Sequence, residues 1–182
     1  NKPMIFYSLS VLLLCKFKEI IIVCDQKSIN LYKKLLSNGS DFGIKIKYVV
    51  QKKANGIPEA FIVSQKYIKN QNVCLMLGDN FIFGSDLYKF LIKGLNNKNG
   101  AYFYAYDVQN PEKYAVLNNV KNKIIDIVEK PKNPKTNLAI PGLYFFDKNV
   151  VKHCKTLRKS KRGELEIVDL IKIYIKENKA KF

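Results

Sequence analysis

A chain of 182 residues, 47% hydrophobic and 12% aromatic, is long enough to bury one core and too apolar to be disordered. Its formal net charge of +17 is spread along the chain among 15 interleaved acidic residues, as on a solvated Lys-rich surface. No apolar run approaches the ~20 residues that a membrane span needs, so no membrane partner is expected.

The elements alternate from the start. Pro3 suits a first helical position, and Ile5, Leu9, Leu12, Leu13 and Phe17 follow at helical spacing. Glu19 to Val23 reads as a short buried strand. A second helix is expected from Ser28 to Leu36, closed by Asn38-Gly39. Ile44, Ile46, Tyr48 and Val50 alternate with polar residues, which is strand periodicity. The segment from Gln51 to Gly56 is a loop, and Pro58 opens the next helix.

Val73 to Leu77 is an apolar strand ended by Gly78-Asp79-Asn80, and Asp86 is placed to cap the helix bearing Leu87, Phe90 and Leu91. Ala101 to Val108 is an aromatic-rich strand. Shorter strands follow at Ala115–Leu117, Ile124–Val128 and Leu138–Phe146, the last with Pro141-Gly142 inside it. Helices over Lys148–Leu157 and Leu165–Glu177 complete the order. Strand–helix alternation predicts an α/β chain with a mostly parallel sheet and helices on both faces, as one domain over residues 1–182.

Three polar groups of residues sit where an open α/β sheet collects ligands, at the carboxyl ends of strands. Asp79 is delivered by a buried strand and suits a hard cation bound together with phosphates, but it equally suits a turn or a helix cap. Gln51 offers a donor and an acceptor side by side, matching the edge of thymine or uracil, and Gly56 permits close backbone approach to a flat base. The same pair also reads as a solvated loop. Lys130 is a compact charge suited to a sugar phosphate, and Glu129 can accept hydrogen bonds from sugar hydroxyls; a charged pair before Pro131 is also ordinary surface.

The four cysteines, Cys15, Cys24, Cys74 and Cys154, form no CxxC pair and lie in apolar surroundings, as buried thiols of a reducing cytoplasm do. The single histidine, His153, leaves no basis for a Ser/His/Asp triad. The run from Lys152 to Arg162 carries six Lys or Arg, but no stacking platform or groove-reading motif accompanies it, so no nucleic-acid partner is expected.

Taken in order, Lys2-Pro3-Met4-Ile5, Gln51 to Phe61, Leu77-Gly78-Asp79-Asn80, Pro111-Glu112-Lys113-Tyr114, Val128-Glu129-Lys130-Pro131, Gly142 to Asp147 and Arg162-Gly163-Glu164-Leu165-Glu166-Ile167 closely resemble the bacterial glucose-1-phosphate thymidylyltransferases. The resemblance runs from Asn1 to Phe182. It implies a three-layer α/β/α nucleotidyltransferase fold with a Rossmann-like, mostly parallel mixed sheet, here incomplete, and Mg²⁺-dependent transfer from dTTP to glucose 1-phosphate in a cytoplasmic homo-oligomer.

By the same resemblance Gln51 and Gly56 match the thymine-reading pair, and Asp79 matches one of two metal-holding aspartates. Tyr114 and Ala115 match the backbone that meets the sugar. Glu129 and Gly142 match sugar-hydroxyl contacts, and Lys130 and Arg162 match the groups that hold the sugar's phosphate. Ala115 stands where the family usually has Gly, Asn118 where Glu is common, and Pro58-Glu59 where Ala-Gln is common.

The family's GGxGTRL phosphate loop and its Trp-Leu-Asp-Thr-Gly segment, with the second metal aspartate, have no counterpart between Asn1 and Phe182. The sequence is therefore expected to be a piece cut at both ends, inactive when isolated and either aggregation-prone or only partly folded. A non-catalytic binding fragment or degenerate subunit of the same fold is the alternative expectation.

Overall fold

The computed structural model describes residues 2–182; Asn1, where the resemblance begins, lies outside the described residues. Helix α1 (Ile5–Leu14) is apolar on nearly every face and is used on two of them. Leu9 packs with strands β1 (Glu19–Cys24) and β2 (Lys45–Val50), while Val11 and Cys15 pack with Leu143 and Phe145. β1 and β2 pair in parallel from Glu19↔Lys45 to Cys24↔Val50, and helix α2 (Ile29–Leu36), with Ile29 and Leu36 buried, crosses between them.

After the loop that follows β2, the helix opened by Pro58 is broken at Ser64 into α3 (Glu59–Val63) and α4 (Gln65–Ile68). Strand β3 (Val73–Met76) comes next, followed by α5 (Leu87–Leu95). Asp86 does precede α5, but its side chain makes no capping hydrogen bond and instead pairs with Lys89 at 2.7 Å. The expected aromatic strand is divided: β4 (Ala101–Phe103) and β5 (Tyr106–Asp107) join different sheets. Strands β6 (Ala115–Val120) and β7 (Lys123–Glu129) form a hairpin whose register shifts between Asn118 and Asn119.

The Leu138–Phe146 strand is divided too, at Pro141-Gly142, because proline cannot donate to a ladder. Its halves are β8 (Leu138–Ala139), which pairs with β5 and β6, and β9 (Leu143–Phe146), which runs between β3 and β4. Helices α6 (Val150–Thr156) and α7 (Ile167–Lys176) fall inside the expected spans, and a two-residue strand β10 (Ala180–Lys181), not foreseen from the sequence, pairs in parallel with β4.

The α/β class with a mixed sheet is therefore as expected, but its balance of pairings is not. Alternation makes β3 and β4 natural parallel neighbours, yet β9 separates them and is antiparallel to both. All four residues of β9 are buried, so a strand with apolar side chains on both faces takes the central place. β1 does not pair with β3. A cleft of about 200 Å³ lies between them, lined by Ile20, Ile21, Val23, Val73 and Leu75.

The largest buried cluster gathers Phe61, Phe103, Phe146, Leu170 and Tyr174 around β4, β9 and α7. Phe61 meets Phe146 edge-on at 5.5 Å, and Phe146 lies 5.7 Å from Tyr174. Asp147, only 3% exposed, ties this core to the end of β9. It accepts hydrogen bonds from the N–H of Gly100 (2.8 Å) and of Asn149 (2.9 Å) and from the Tyr174 hydroxyl (3.0 Å).

Burial alone would raise the Asp147 pKa, but these donors outweigh it and hold the carboxyl below its ordinary value of 3.8. A depressed carboxylate contributes stability that is complete above pH 3.8 and is lost as pH falls through the folded-state pKa. Asp147→Asn is expected to cost on the order of 2 kcal/mol at neutral pH, since an amide turns a donor toward N–H groups. Denaturant titrations at pH 7 and pH 3 check this: the gap between wild type and variant should narrow at pH 3, and an equal gap at both would contradict it.

Candidate functional site

The turn after β3 is held from two sides. The Ser8 hydroxyl of α1, itself buried, lies 3.0 Å from the Leu77 carbonyl and 3.1 Å from that of Asn80 and donates to this pair. Asn80 then accepts the Gly142 N–H on its Oδ1 at 2.8 Å and donates from Nδ2 to the Asp79 carboxylate at 2.9 Å. Asp79 is exposed, and one of its carboxylate oxygens is anchored by Asn80. Gly142 has no room for a side chain: a Cβ there would come within 2.5 Å of Leu77 Cγ.

Two residues before Gly142, the Ile140 N–H donates to the Ala115 carbonyl at 2.9 Å. Ala115 is buried and opposite Glu129 in the β6–β7 ladder. The Tyr114 carbonyl accepts the Lys130 N–H at 3.0 Å, while the Tyr114 ring stands 41% exposed. Lys130 itself adopts a left-handed backbone, φ 42°, which a residue with a Cβ takes at a cost of about 1–2 kcal/mol. That turn carries the chain away from β7 immediately before Pro131.

Burial raises the Glu129 pKa, the positive charges of Lys130 and Arg162 oppose the rise, and Glu166 adds to it. Arg162 is gripped by Glu166: Nη2 to Oε2 at 2.7 Å and Nε to Oε1 at 3.2 Å. Ser160 donates its hydroxyl to the same carboxylate at 2.6 Å. These contacts lower the Glu166 pKa, the Arg162 hydrogen bond contributing most, and keep the guanidinium protonated. Arg162 has five N–H donors and spends two on Glu166.

The loop after β2 joins the same rim by a route the sequence did not disclose. Gln51 donates from Nε2 to the Gly56 carbonyl at 3.1 Å, which leaves Oε1 and a second N–H. Gly56 sits at φ 98°, and a Cβ on it would collide with the Leu165 carbonyl oxygen. The glycine is thus required by a neighbouring stretch of backbone, where the sequence reading gave the approach of a base as its reason. The Leu165 N–H donates to the Asn55 carbonyl at 2.7 Å.

Every sequence-predicted residue therefore lies on one hydrogen-bonded or electrostatically coupled belt. It runs from Asp79 through Asn80, Gly142, Ala115 and Glu129–Lys130 to Arg162, and returns through Leu165 to Gly56 and Gln51. Asn80, Glu166 and Asn55 are members that sequence reasoning missed. All three stand inside the quoted motifs, where Asn80 and Glu166 could have been found beside Asp79 and Arg162. An apolar cavity of about 650 Å³ opens beside Asn80 and Pro141, walled by Phe81, Phe90 and Tyr104.

His153 stays outside the belt, stacked edge-on against Tyr174 at 4.7 Å. All four cysteines are free thiols; Cys15 and Cys154 are buried, and desolvation pushes their pKa values up to about 11 and about 12. No group of three or more His, Cys, Asp or Glu among the described residues could hold a metal ion by itself. No helix among them is long and apolar enough to cross a membrane.

The family described as Nucleotidyl transferase matches residues 1–182. A glucose-1-phosphate thymidylyltransferase of Neisseria meningitidis serogroup A is 42% identical over 178 residues, which cover 97% of this chain and 62% of that protein. Its namesake in Mycolicibacterium smegmatis is 36% identical over 176 residues, covering 96% of the chain and 61% of the relative. The chain thus spans about three fifths of the length of these curated relatives.

Among solved structures, a Bacillus anthracis protein assigned to the glucose-1-phosphate thymidylyltransferases, in complex with a sucrose, superposes with a TM-score of 0.90 at 35% identity. That match covers 98% of this chain and 72% of that one. A UDP-glucose pyrophosphorylase complexed with UDP-glucose shares the fold, with a TM-score of 0.83 at 20% identity over 100% of this chain and 78% of that one.

The contact under Gly56 yields a prediction about the belt itself. Gly56→Ala is expected to push the 158–165 loop off Asn55 and cost about 2 kcal/mol or more, through both the clash and the left-handed backbone. Limited proteolysis should then cut faster within residues 158–165, and the thermal midpoint should fall. A variant with wild-type melting and an unchanged digestion pattern would contradict the packing described.

Proposed function

Because the chain belongs to the nucleotidyl transferase family, we propose that the protein carrying it transfers a thymidylyl group from dTTP to glucose 1-phosphate, giving dTDP-glucose and pyrophosphate. What supports the reading is the belt: groups of the chemistry this reaction needs, 111 residues apart from Gln51 to Arg162, are carried by two loops that hydrogen-bond to each other through Asn55. Gln51 would meet the thymine edge with its free Oε1 and remaining N–H. Glu129 would accept hydrogen bonds from glucose hydroxyls, and Gly142, whose side-chain space is filled by Leu77 and Asn80, would hold the Asp79–Asn80 turn beside the sugar.

Lys130 and the unspent N–H groups of Arg162 would hold the sugar's phosphate and offset its charge. One oxygen of that phosphate attacks the α-phosphorus in line, the new P–O bond forms, the bond to the β-phosphate oxygen breaks, and pyrophosphate leaves with the electron pair. No covalent enzyme intermediate is required. The protein's part is positioning and charge compensation, consistent with a belt that holds no histidine or cysteine.

Magnesium fits this arrangement in a limited way. A single exposed carboxylate with one oxygen anchored by Asn80 suits a hard cation that takes its other ligands from water and phosphates. Asp79 is the residue that would hold it, and the bound ion would neutralise charge on the triphosphate. The setting is expected to be the cytoplasm, with self-assembly into a homo-oligomer and no nucleic-acid partner.

In the natural full-length protein, pyrophosphate release from dTTP, glucose 1-phosphate and Mg²⁺ is the test. Asp79→Asn should lower kcat roughly 100-fold or more with the melt unchanged, and Lys130→Ala should chiefly raise KM for glucose 1-phosphate. Wild-type kinetics in Asp79→Asn would refute the metal assignment. Binding of both substrates with no pyrophosphate released would favour a non-catalytic member of the same fold.

A further inference from the structure

Asn55 is half-buried between the loop after β2 and the loop that carries Arg162, and its carbonyl, side-chain oxygen and side-chain nitrogen each hold a hydrogen bond. Its carbonyl accepts the Leu165 N–H at 2.7 Å. Its side-chain Oδ1 accepts from Lys159 Nζ at 2.8 Å, across 104 residues of sequence, and its Nδ2 donates to Glu59 Oε1 at 2.8 Å. The second Glu59 oxygen is buried without a partner, so the carboxylate is aimed at Asn55 alone.

An asparagine is well matched to that place because one neighbour is a donor and the other an acceptor. Aspartate would set a carboxylate against Glu59, and alanine would leave both partners unmet. Asn55 is next to Gly56, whose carbonyl orients Gln51. Its other partners, Lys159 and Leu165, bracket Arg162, whose loop is otherwise closed on itself. There the Ser160 N–H donates to the Glu164 carbonyl at 2.8 Å and the Gly163 N–H to the Ser160 carbonyl at 2.9 Å.

We infer that Asn55 is a positioning residue: its amide latches the base-reading loop to the loop that carries Arg162, so that the nucleotide and sugar-phosphate ends of the site are set together. The roles of the two ends rest on the function proposed above; the latch itself does not. Asn55 touches neither reacting group and acts through Gly56 and Leu165.

A charge-swapped pair tests this in the natural full-length protein. Asn55→Asp alone places two carboxylates in contact. Asn55→Asp combined with Glu59→Gln restores each hydrogen bond: the introduced amide donates to the introduced carboxylate, and Lys159 keeps its acceptor. Hydrogen exchange of residues 159–165 and steady-state kinetics are read on wild type, the single variant and the double variant.

The single variant should exchange faster across 159–165, by more than any fall in its global melt accounts for. It should also raise KM for glucose 1-phosphate about tenfold, the effect of one lost hydrogen bond, with kcat within about twofold. The double variant should return both readings to wild type. Wild-type exchange in Asn55→Asp, or a double variant that fails to recover, would overturn the latch. If wild type turns over neither substrate while exchange still responds and recovers, the latch stands and the proposed function falls.

Discussion

The antiparallel pairing of β3 with β9 is the constraint on which the rest of the site depends. Its register, Val73↔Phe146 to Met76↔Leu143, continues through the Leu77 N–H to the Gly142 carbonyl at 2.8 Å. That register alone decides that Gly142 stands against Asn80 and hence beside Asp79. Because β9 is buried on both faces, a slip of one residue would exchange its two sets of apolar side chains and cannot be absorbed cheaply. The connection back to β8 then fixes Ile140 on Ala115 and brings the β6–β7 hairpin, with Glu129 and Lys130 at its end, onto the same rim.

The electrostatics of that rim differ from those of the chain as a whole. A net charge of +17 would attract any polyanion, yet the belt is a mixture of Lys130 and Arg162 with Glu129 and Glu166. Arg162 is oriented by a two-point ion pair, and Glu166 is in turn oriented by Ser160. On the proposed function, selectivity for a phosphate there would come from where the unspent N–H groups point, because the local charges largely offset one another.

Much of this was legible in the sequence. The boundaries of α2, β3, α6 and α7 lie within two residues of those that periodicity and apolar runs predict, and the ordered motifs contain Asn55, Asn80 and Glu166 besides the residues singled out from them. What was hidden depends on contacts distant in sequence. Nothing local says that β9 inserts between β3 and β4, or that Tyr104-Ala105 interrupts an aromatic run so that its halves enter two sheets. The reason for Gly56 lies at Leu165, and the role of Asn55 at Lys159 and Leu165, so neither could be read from the loop that contains them.

The central claim is that these dispersed residues form one ligand-binding rim. Amide chemical-shift mapping of the isotopically labelled full-length protein during titration with dTDP-glucose tests it most directly. The account predicts perturbations at Gln51, Gly56, Gly78–Asn80, Ala115, Lys130, Gly142 and Arg162, saturating together with a single dissociation constant. Shifts confined to the basic segment from Lys152 to Lys155, or two groups of belt residues saturating at different concentrations, would contradict it.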